Sequence, residues 1–340
     1  LHYPLRRQRQ MCIRDSPGVV RLGVLDVGSN TIHLVAVDAY SGSRPTPMSD
    51  WKQPLRLVEL LDKKGNIEDK GIAKLVDAVQ EASDLADNLK CEELVAFATS
   101  AVRSATNSQD VLKRVEKKTG VKLNILSGEE EARLTFLAAR RWHGWSAGRI
   151  TNFDIGGGSL EISTGTEEMP DLAVSLNLGA GRLTHEWFDT DPPERKKINM
   201  LRDYIDAELA GPAEQFKAMG EAGLAVGTSK TFRSLARLTG AAPSSAGPFV
   251  QRTLTAPGLR QLIAFISRMT AADRAELEGI NSDRSHQIVA GALVAEAAMR
   301  ALNVDKLEIC PWALREGVIL KRIDKGSLDA EQEANKGDDN

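Results

Sequence analysis

The chain has 340 residues, of which 42% are hydrophobic and 27% charged, and 44 Lys and Arg against 47 Asp and Glu give a net charge of −3. This length predicts two domains, with three as the alternative, and either half of the chain is long enough to bury its own core. The charge excludes a global positive field for nucleic acid or an acidic membrane, and an aromatic content of 5% argues against a base-stacking platform. The longest apolar run, at residues 288–299, is too short to span a bilayer.

The cysteines and the two chain ends lie outside the predicted chemistry. Cys12, Cys91 and Cys310 are far apart and odd in number, which predicts small buried side chains in a reducing cytoplasm rather than a disulfide framework or a metal clip. Residues 1–18 lack the apolar segment of a signal peptide and are interpreted as a non-native or disordered leader. Residues 326–340 are polar and aperiodic, which predicts a solvated tail.

The first part of the chain alternates strands and helices. Two apolar runs joined by a Gly-Ser-Asn turn predict a β-hairpin. A helical period follows, and a second helix ends at Gly120. The predicted strands lie at 20–27, 31–39, 55–61, 93–98 and 122–126, and the predicted helices at 67–90 and 109–119. This βββαβαβ order is typical of an α/β domain.

The pattern restarts after residue 126. Ser127 and Glu130 form a capping box, which predicts a helix that continues to about residue 142. Further strands are predicted at 149–155, 160–164, 172–177, 223–226 and 306–309, and further helices at 180–187, 194–209, 229–238, 256–270, 285–302 and 313–323. We expect the last helix to return to the first domain, so that residues 19–127 and 311–325 form one domain and residues 128–310 the other.

The two halves share one local pattern, in which a strand is followed by Asp, a glycine-containing turn with Ser, and a second strand. It occurs at Asp26-Val-Gly-Ser-Asn30 and, about one domain length later, at Asp154-Ile-Gly-Gly-Gly-Ser159. A tight hairpin with a capping Asp would explain one copy, but two matched copies favour a functional pair. The duplication predicts two related α/β domains whose turns face each other across a cleft.

Glycine-containing turns of this kind suit phosphate. Without a Cβ in the way, successive turn amides can approach an anion and form a concave nest, and the Ser and Asn side chains add donors. A carboxylate beside bound phosphate requires a cation between them, so Asp26 and Asp154 predict Mg²⁺ or another divalent ion. Glu161 shares a strand face with Ser159 and can reach the same ion.

Seven short motifs follow one another along the chain. They are Asp26-Val-Gly-Ser-Asn30, Ala98-Thr-Ser-Ala-Val-Arg103, Ser127-Gly-Glu-Glu-Glu-Ala-Arg133, Asp154-Ile-Gly-Gly-Gly-Ser-Leu-Glu161, Leu178-Gly-Ala-Gly181, Gly227-Thr228 and Ala313-Leu-Arg-Glu-Gly317. In this order they resemble the exopolyphosphatase / guanosine pentaphosphate phosphohydrolase family of the actin-like, sugar-kinase ATPase superfamily, over about residues 20–323. The resemblance implies two actin-like (ribonuclease H-like) domains with the active site in the cleft. It also implies release of terminal phosphate from polyphosphate, or of the 5′ γ-phosphate from guanosine pentaphosphate.

The resemblance further implies roles for single residues. Glu131 corresponds to the family's general base, and hydrolysis needs such a carboxylate to orient and deprotonate water. Its neighbours Glu129 and Glu130 are assigned to capping and surface charge. Arg103 corresponds to a phosphate-contacting Arg. The phosphate-binding turns comprise Gly28, Ser29, Asn30, Gly156, Gly157, Gly158 and Ser159, and further cations that can line the cleft are Lys230, Arg233, Arg284 and the pair Lys196-Lys197.

Two departures from the family pattern bear on the substrate. Many members have Gly-Thr-Gly-Gly where this chain has Gly227-Thr-Ser-Lys230, and Ser and Lys would crowd a purine while adding a donor and a positive charge. This difference favours inorganic polyphosphate over guanosine pentaphosphate. The chain also ends soon after the last predicted helix, without the HD-type domain of long members, which favours short polyphosphate chains.

Three alternative functions stay open. Guanosine pentaphosphate hydrolysis is the same chemistry on an alarmone, and a nucleotide-gated kinase or binding module would share the superfamily fold. A catalytically weak alarmone sensor would have no use for Glu131. No nucleic acid or membrane partner is expected, and the oligomeric state is open, a homodimer included. Domain closure on the substrate is expected, with hinges near residues 126–128 and 309–311.

Overall fold

Strands and helices alternate throughout the chain. The computed structural model describes residues 19–337, with side chains to residue 325, so the predicted leader 1–18 lies outside the described residues. The strands are β1 (Val20–Val27), β2 (Thr31–Ala39), β3 (Ser49–Pro54), β4 (Glu93–Ala98), β5 (Asn124–Ile125), β6 (Ile150–Ile155), β7 (Leu160–Gly165), β8 (Leu172–Leu176), β9 (Leu224–Gly227), β10 (Thr253–Thr255) and β11 (Lys306–Ile309). The helices are α1 (Asp69–Asn88), α2 (Ser100–Ser104), α3 (Ser108–Thr119), α4 (Gly128–His143), α5 (Ala180–Trp187), α6 (Arg195–Ala218), α7 (Lys230–Leu238), α8 (Ala256–Ile266), α9 (Ala271–Ala275), α10 (Ile288–Ala301) and α11 (Leu314–Gly337).

The first sheet has the strand order β3-β2-β1-β4-β5. Strands β1 and β2 are antiparallel, with Asp26 opposite His33, whereas β4 lies parallel to both β1 and β5. Helices α1 and α3 bury their apolar faces on one side of this sheet. On the other side, Val318 of α11 shares a core with Leu22, so the last helix packs on the first domain.

The second sheet, in the order β10-β11-β9-β6-β7-β8, repeats this arrangement around β6, β7 and β8. Strands β6 and β7 are antiparallel, with Asp154 opposite Glu161, and β8 pairs antiparallel with β7. Strands β9 and β11 follow β6 in parallel. Helices α6, α8 and α10 cover one face. The common order confirms the predicted pair of actin-like, ribonuclease H-like α/β domains.

Helices α4 and α11 lie between the two sheets. Leu134 of α4 shares a core with the first sheet, and Phe136 of the same helix shares one with the second. Gly317 lets α11 lie against α4, because a Cβ there would stand 2.0 Å from the Leu134 carbonyl oxygen. The two crossings between domains directly precede these helices, at the places where hinges are expected.

The strand expected at 55–61 is wrong, because the third strand of the first sheet is Ser49–Pro54. Pro54 has no N–H to continue a ladder. The N–H groups of Leu55 and Arg56 both donate to the Asn30 carbonyl, at 2.8 and 3.1 Å. The chain therefore leaves the sheet and forms a 3₁₀ turn at Leu57–Leu60, and the Leu57 N–H donates to the Ser29 carbonyl of the first glycine-containing turn.

Several other element bounds also differ from the expected ones. The strand at 122–126 shortens to Asn124–Ile125, and the helix at 256–270 ends at Ile266. Helix α6 continues through Pro212 to Ala218, since the carbonyl left without a donor belongs to the exposed Glu208. Helix α11 runs to residue 337, so the polar stretch expected as a tail is helical to that point, because its Ala, Glu and Gln residues favour a helix without any apolar period. Among the helices of residues 19–337, none combines the length and apolarity of a bilayer crossing.

Candidate active site

A cavity of about 170 Å³ lies between the two glycine-containing turns. One turn connects β1 to β2 and the other connects β6 to β7. The first residues of α4 and the chain entering α11 complete the walls. The predicted site residues that line this cavity are Asp26, Gly28, Ser29, Asn30, Glu131, Asp154, Gly156, Gly157, Ser159, Glu161, Lys230 and Arg284. The structure therefore brings together residues that are far apart in the sequence.

Asp154 and Glu161 face each other across β6 and β7. Each accepts a hydrogen bond from a hydroxyl on the adjacent segment of the same sheet: Thr228 Oγ1 donates to Asp154 Oδ2 at 2.7 Å, and Ser175 Oγ donates to Glu161 Oε1 at 2.8 Å. Burial raises the pKa of both carboxyl groups, that of Glu161 to about 7, and outweighs the hydroxyl contacts. The two carboxylates are thus oriented but poorly solvated.

Asp26 occupies the equivalent place at the end of β1. Arg315, near the start of α11, donates to Asp26 Oδ2 at 3.4 Å. Burial raises the pKa of Asp26, Arg315 opposes this shift, and the charge of Asp154 adds to it. The Asp residues of the two duplicated turns are therefore close enough to repel each other across the cleft.

Helix α4 begins with the predicted capping box and presents Glu131 to the cleft. Ser127 Oγ accepts a hydrogen bond from Glu130 N at 3.2 Å, and Glu130 Oε2 accepts one from Ser127 N at 2.8 Å. Glu129 accepts a hydrogen bond from Arg133 Nε at 3.0 Å on the surface. Glu131, by contrast, is only 7% exposed. The contacts confirm the assignment of Glu129 and Glu130 to surface and capping roles.

Arg103 of α2 forms an ion pair with Glu131. Its Nη1 also donates to the Leu126 carbonyl at 2.7 Å, which ties the guanidinium to the segment that precedes α4. Burial and the charge of Glu161 raise the pKa of Glu131, and Arg103 opposes both effects. Arg103 is not among the described residues that line the cavity. The contact seen is therefore with the candidate base, and the phosphate contact of Arg103 stays a prediction.

The pKa of Glu161 predicts how stability depends on pH without metal. This pKa is about 7 in the folded chain, against an ordinary value of 4.5. The contribution of protonated Glu161 to the free energy of unfolding is fully present at pH values below the ordinary pKa. It is lost as the pH rises through about 7. We expect the melting temperature in chelator to fall between about pH 5 and about pH 8, and to fall less in Glu161→Gln. Thermal melting of both proteins checks this, and an equal fall in both would contradict it.

The two glycine-containing turns approach each other closely at glycines. A Cβ on Gly157 would stand 2.6 Å from Asn30 Nδ2, and one on Gly158 would stand 2.5 Å from Ser100 Oγ. Ser100 Oγ and Ser29 Oγ are hydrogen-bonded to each other at 2.9 Å. Gly158 faces this pair rather than the cavity. The missing side chains thus allow the segments of the two sheets to lie close together at these positions.

We expect Gly158→Ala to hold the domains apart, because the new methyl group would overlap the buried Ser100 side chain. Turnover should fall about ten- to hundredfold, since reacting groups on the two domains would be misplaced. Small-angle scattering should show a larger radius of gyration. Gly211→Ala is the matched control, because a Cβ at that helical position meets nothing within 4 Å. Unchanged scattering and turnover in Gly158→Ala would refute the closed packing as a requirement.

Lys230, Arg233 and Arg284 bring positive charge to the same cavity. Burial and neighbouring cations lower the pKa of Lys230 to about 8 and that of Arg284 to about 10. Lys196 and Lys197 are not among the described lining residues, and Lys197 pairs with Asp189 at 2.8 Å. Crowded cations and buried carboxylates therefore share one cavity, an arrangement that bound phosphate with a cation would stabilise.

Asp26, Asp154 and Glu161 do not form a ready-made three-ligand metal site. Among the described residues, no group of three or more His, Cys, Asp or Glu side chains encloses a position for a metal ion. Mg²⁺, however, is ordinarily held by one or two carboxylates together with substrate phosphate oxygens and water. Burial raises the pKa of Asp26 and Asp154 despite the arginines nearby, so a cation beside them would favour their ionised forms, which fits that mode of binding.

Four residues that contact the predicted site were missed by the sequence analysis. Arg315 binds Asp26, Thr228 binds Asp154, and Ser100 binds Ser29. Each of these three lies inside one of the seven family motifs, so the motif could have indicated the residue. Ser175 lies in no motif, and only the pairing of β7 with β8 places it opposite Glu161.

Comparisons with known proteins agree with this geometry. The model of the Ppx/GppA phosphatase family matches residues 35–326. Exopolyphosphatase 1 of Mycobacterium tuberculosis is 65% identical over 305 residues, covering 90% of this chain and 89% of that protein, and Exopolyphosphatase 1 of Mycobacterium leprae is 63% identical, covering 90% of each. A crystal structure of an exopolyphosphatase from Cytophaga hutchinsonii gives a TM-score of 0.81 at 24% identity, covering 90% of this chain and 98% of that one. The Aquifex aeolicus member of the Ppx/GppA family gives a TM-score of 0.73 at 23% identity, with the same coverage, so both share the fold.

Proposed function

The chain belongs to the Ppx/GppA phosphatase family, and from this premise we propose that it is an exopolyphosphatase that releases terminal orthophosphate from short-chain inorganic polyphosphate. The mycobacterial relatives named exopolyphosphatase support the substrate. The observation that carries the proposal is the cavity where glycine turns of both domains meet buried carboxylates and crowded cations. Short chains are favoured because the cations that line this cleft, Lys230, Arg233, Arg284 and Arg315, offer charge for only a few phosphate groups.

In the proposed reaction, water attacks the terminal phosphorus directly. The terminal phosphate lies against the turn amides of both domains, as anions do in backbone nests. Glu131 accepts a proton from the water as its oxygen bonds to phosphorus, and the bridging P–O bond breaks. The products are orthophosphate and a chain shorter by one phosphate. Arg103 acts as a positioning residue that orients Glu131 and favours its ionised form.

We propose that Asp154 and Asp26, with Glu161, hold a divalent cation such as Mg²⁺ together with the substrate. When bound, such an ion neutralises phosphate oxygens and stabilises the charge that develops in the transition state. Thr228 and Ser175 support this role by orienting Asp154 and Glu161 through their hydroxyl groups.

Product analysis tests the proposed reaction. Phosphorus NMR on a polyphosphate of defined length should show orthophosphate and chains shortened by one unit as the first products. In heavy-oxygen water, the label should enter the released orthophosphate and not the remaining chain, because water attacks the terminal phosphorus. Early internal fragments, or label in the shortened chain, would contradict the proposal.

Lys230→Ala should raise the KM for short polyphosphate more than it lowers kcat. Lys230 lines the cavity and adds charge that attracts substrate and transition state alike, so its loss removes uniform binding. We expect KM to rise about three- to tenfold and the salt dependence of kcat/KM to weaken. Steady-state kinetics at several salt concentrations measure both effects. Lys70→Gln, at an exposed lysine on α1, is the control.

Guanosine pentaphosphate is the alternative substrate, and substitutions at Lys230 distinguish it from polyphosphate. Ser229 caps α7, because its Oγ accepts hydrogen bonds from Phe232 N and Ile155 N at 3.3 Å each. Replacing Ser229 together with Lys230 would therefore damage the helix start as well as open a purine slot. Lys230→Gly alone should raise kcat/KM for guanosine pentaphosphate relative to kcat/KM for polyphosphate. Unchanged polyphosphate kinetics in Lys230→Ala would make guanosine pentaphosphate the preferred assignment.

A further inference from the structure

A second, larger cavity adjoins the catalytic cleft. Its volume is about 650 Å³, and Lys230 and Arg233 line both spaces. Lys52, on strand β3 of the first domain, also lines it. The segment 242–252 and helix α7 of the second domain form most of the remaining wall. The two cavities are therefore neighbours that share Lys230 and Arg233, and the larger one receives side chains from both domains.

Two of the arginines at this cavity are committed to other contacts. Arg252 uses its Nε, Nη1 and Nη2 atoms to hold the wall segment together. The carbonyl oxygens that accept these hydrogen bonds, at 2.6 to 3.0 Å, belong to Ala242, Pro243, Gly247 and Val250. Arg237 is paired with Glu278, the carboxylate of the lining. The wall is thus internally tied: the charge of Arg237 is balanced by Glu278, whereas Arg252 keeps its charge but spends its donors on the wall segment itself.

The remaining three cations, Lys52, Lys230 and Arg233, have no carboxylate within ion-pair distance among the described residues. Arg233 reaches the Pro311 carbonyl, at 3.5 Å, and Lys52 is exposed. After burial, the charges of Arg284, Lys52 and Arg233 are the causes that lower the pKa of Lys230 to about 8. These like charges repel one another, so an anion that carries several charges would stabilise the cluster.

The lining favours a phosphate chain over a nucleotide base. Among the described residues, no aromatic side chain lines the cavity, so a base has no ring on which to stack. Pro243, Ser244 and Pro248 are small and leave the cations as the main interacting groups. A linear polyanion needs positive charges spaced along its path, which Arg233, Lys230 and Lys52 supply.

We propose that this cavity is a distal subsite for the second and following phosphates of a polyphosphate chain whose terminal phosphate lies in the catalytic cleft, with Lys52 as a specificity-determining residue. The inference rests on the proposed exopolyphosphatase function. Lys52 belongs to the first domain and Lys230 to the second, so a chain bound to both also holds the domains together.

Steady-state kinetics of Lys52→Gln test the subsite. The KM should rise about three- to tenfold for chains long enough to leave the cleft, and less for tripolyphosphate, because only longer chains reach Lys52. Lys63→Gln removes the same charge from an exposed position of the same domain that does not line the cavity, and should behave as wild type. Melting temperatures show that both variants fold.

A second pair of variants adds one negative charge, either in the cavity lining or beside it. Ser244→Glu places a carboxylate in the lining and should raise KM for the longer chains, whereas Ser245→Glu, at the neighbouring exposed position outside the lining, should not. If wild type releases phosphate but both Lys52→Gln and Ser244→Glu match it at every chain length, the subsite is refuted and the exopolyphosphatase function stands. If wild type releases no phosphate from polyphosphate, the function itself fails. Weaker binding of guanosine pentaphosphate alone would overturn the subsite in favour of a nucleotide site.

Discussion

Glu131→Gln is expected to lower kcat by about two to four orders of magnitude, the usual contribution of a general base. The amide keeps the shape of the side chain but cannot take the proton of the attacking water. Glu131 is buried, lines the cleft and is held by Arg103, so no other carboxylate on α4 can replace it. KM for short polyphosphate should change little. Single-turnover kinetics with saturating enzyme measure the loss at the chemical step.

Glu129→Gln is the matched control for this change. It alters the same residue type on the same turn of α4, but at an exposed position paired with Arg133. We expect turnover within about twofold of wild type, because surface ion pairs contribute little. Near-wild-type turnover in Glu131→Gln, with Glu129→Gln also active, would remove Glu131 from the role of base.

Asp154→Asn is expected to abolish most activity and to weaken the response to Mg²⁺. The amide can still accept the Thr228 hydrogen bond, so the turn keeps its structure while the charge beside the phosphate is lost. We expect kcat/KM to fall about a hundredfold or more, since the cation offsets charge that the turn amides alone cannot neutralise. A thermal shift on adding Mg²⁺ with a non-hydrolysed polyphosphate analogue should also shrink.

Asp189→Asn controls for the loss of one carboxylate, because Asp189 pairs with Lys197 away from the cavity. It should keep both the activity and the Mg²⁺ response. Full activity of wild type in excess chelator would refute the metal proposal. Asp154 would then be a residue that shapes the turn. Loss of activity in Asp154→Asn with an unchanged Mg²⁺ shift would place the cation elsewhere.

The fold was predictable where local pattern and long-range packing agree. The runs that became β6 and β7 are apolar, bounded by turn residues and repeated from β1 and β2, so both sheets could be predicted from the sequence. Residues 55–61 show how the same reasoning fails. They are apolar enough for a strand, but the Asn30 carbonyl accepts the N–H groups of Leu55 and Arg56 and draws the chain into a 3₁₀ turn. No local sequence pattern predicts that contact.

Some residues of the candidate site could be predicted from local motifs, whereas their contact partners could not. The duplicated turns and the family resemblance indicated most of the residues that line the cleft, because they lie in contiguous motifs. Their partners depend on register and domain packing. Ser175 reaches Glu161 only because β8 pairs with β7, and the fit of Gly158 against Ser100 requires two domains in contact. Such relations between distant segments have no periodic signature in the sequence.

Phosphate release from short polyphosphate, compared side by side with guanosine pentaphosphate and with long-chain polyphosphate, tests the central claim most directly. With Mg²⁺ present, we predict that kcat/KM is highest for short polyphosphate, that chelator abolishes the activity, and that Glu131→Gln shows almost none. A higher kcat/KM for guanosine pentaphosphate, or no phosphate release from any polyphosphate, would contradict the assignment of this chain as a short-chain exopolyphosphatase.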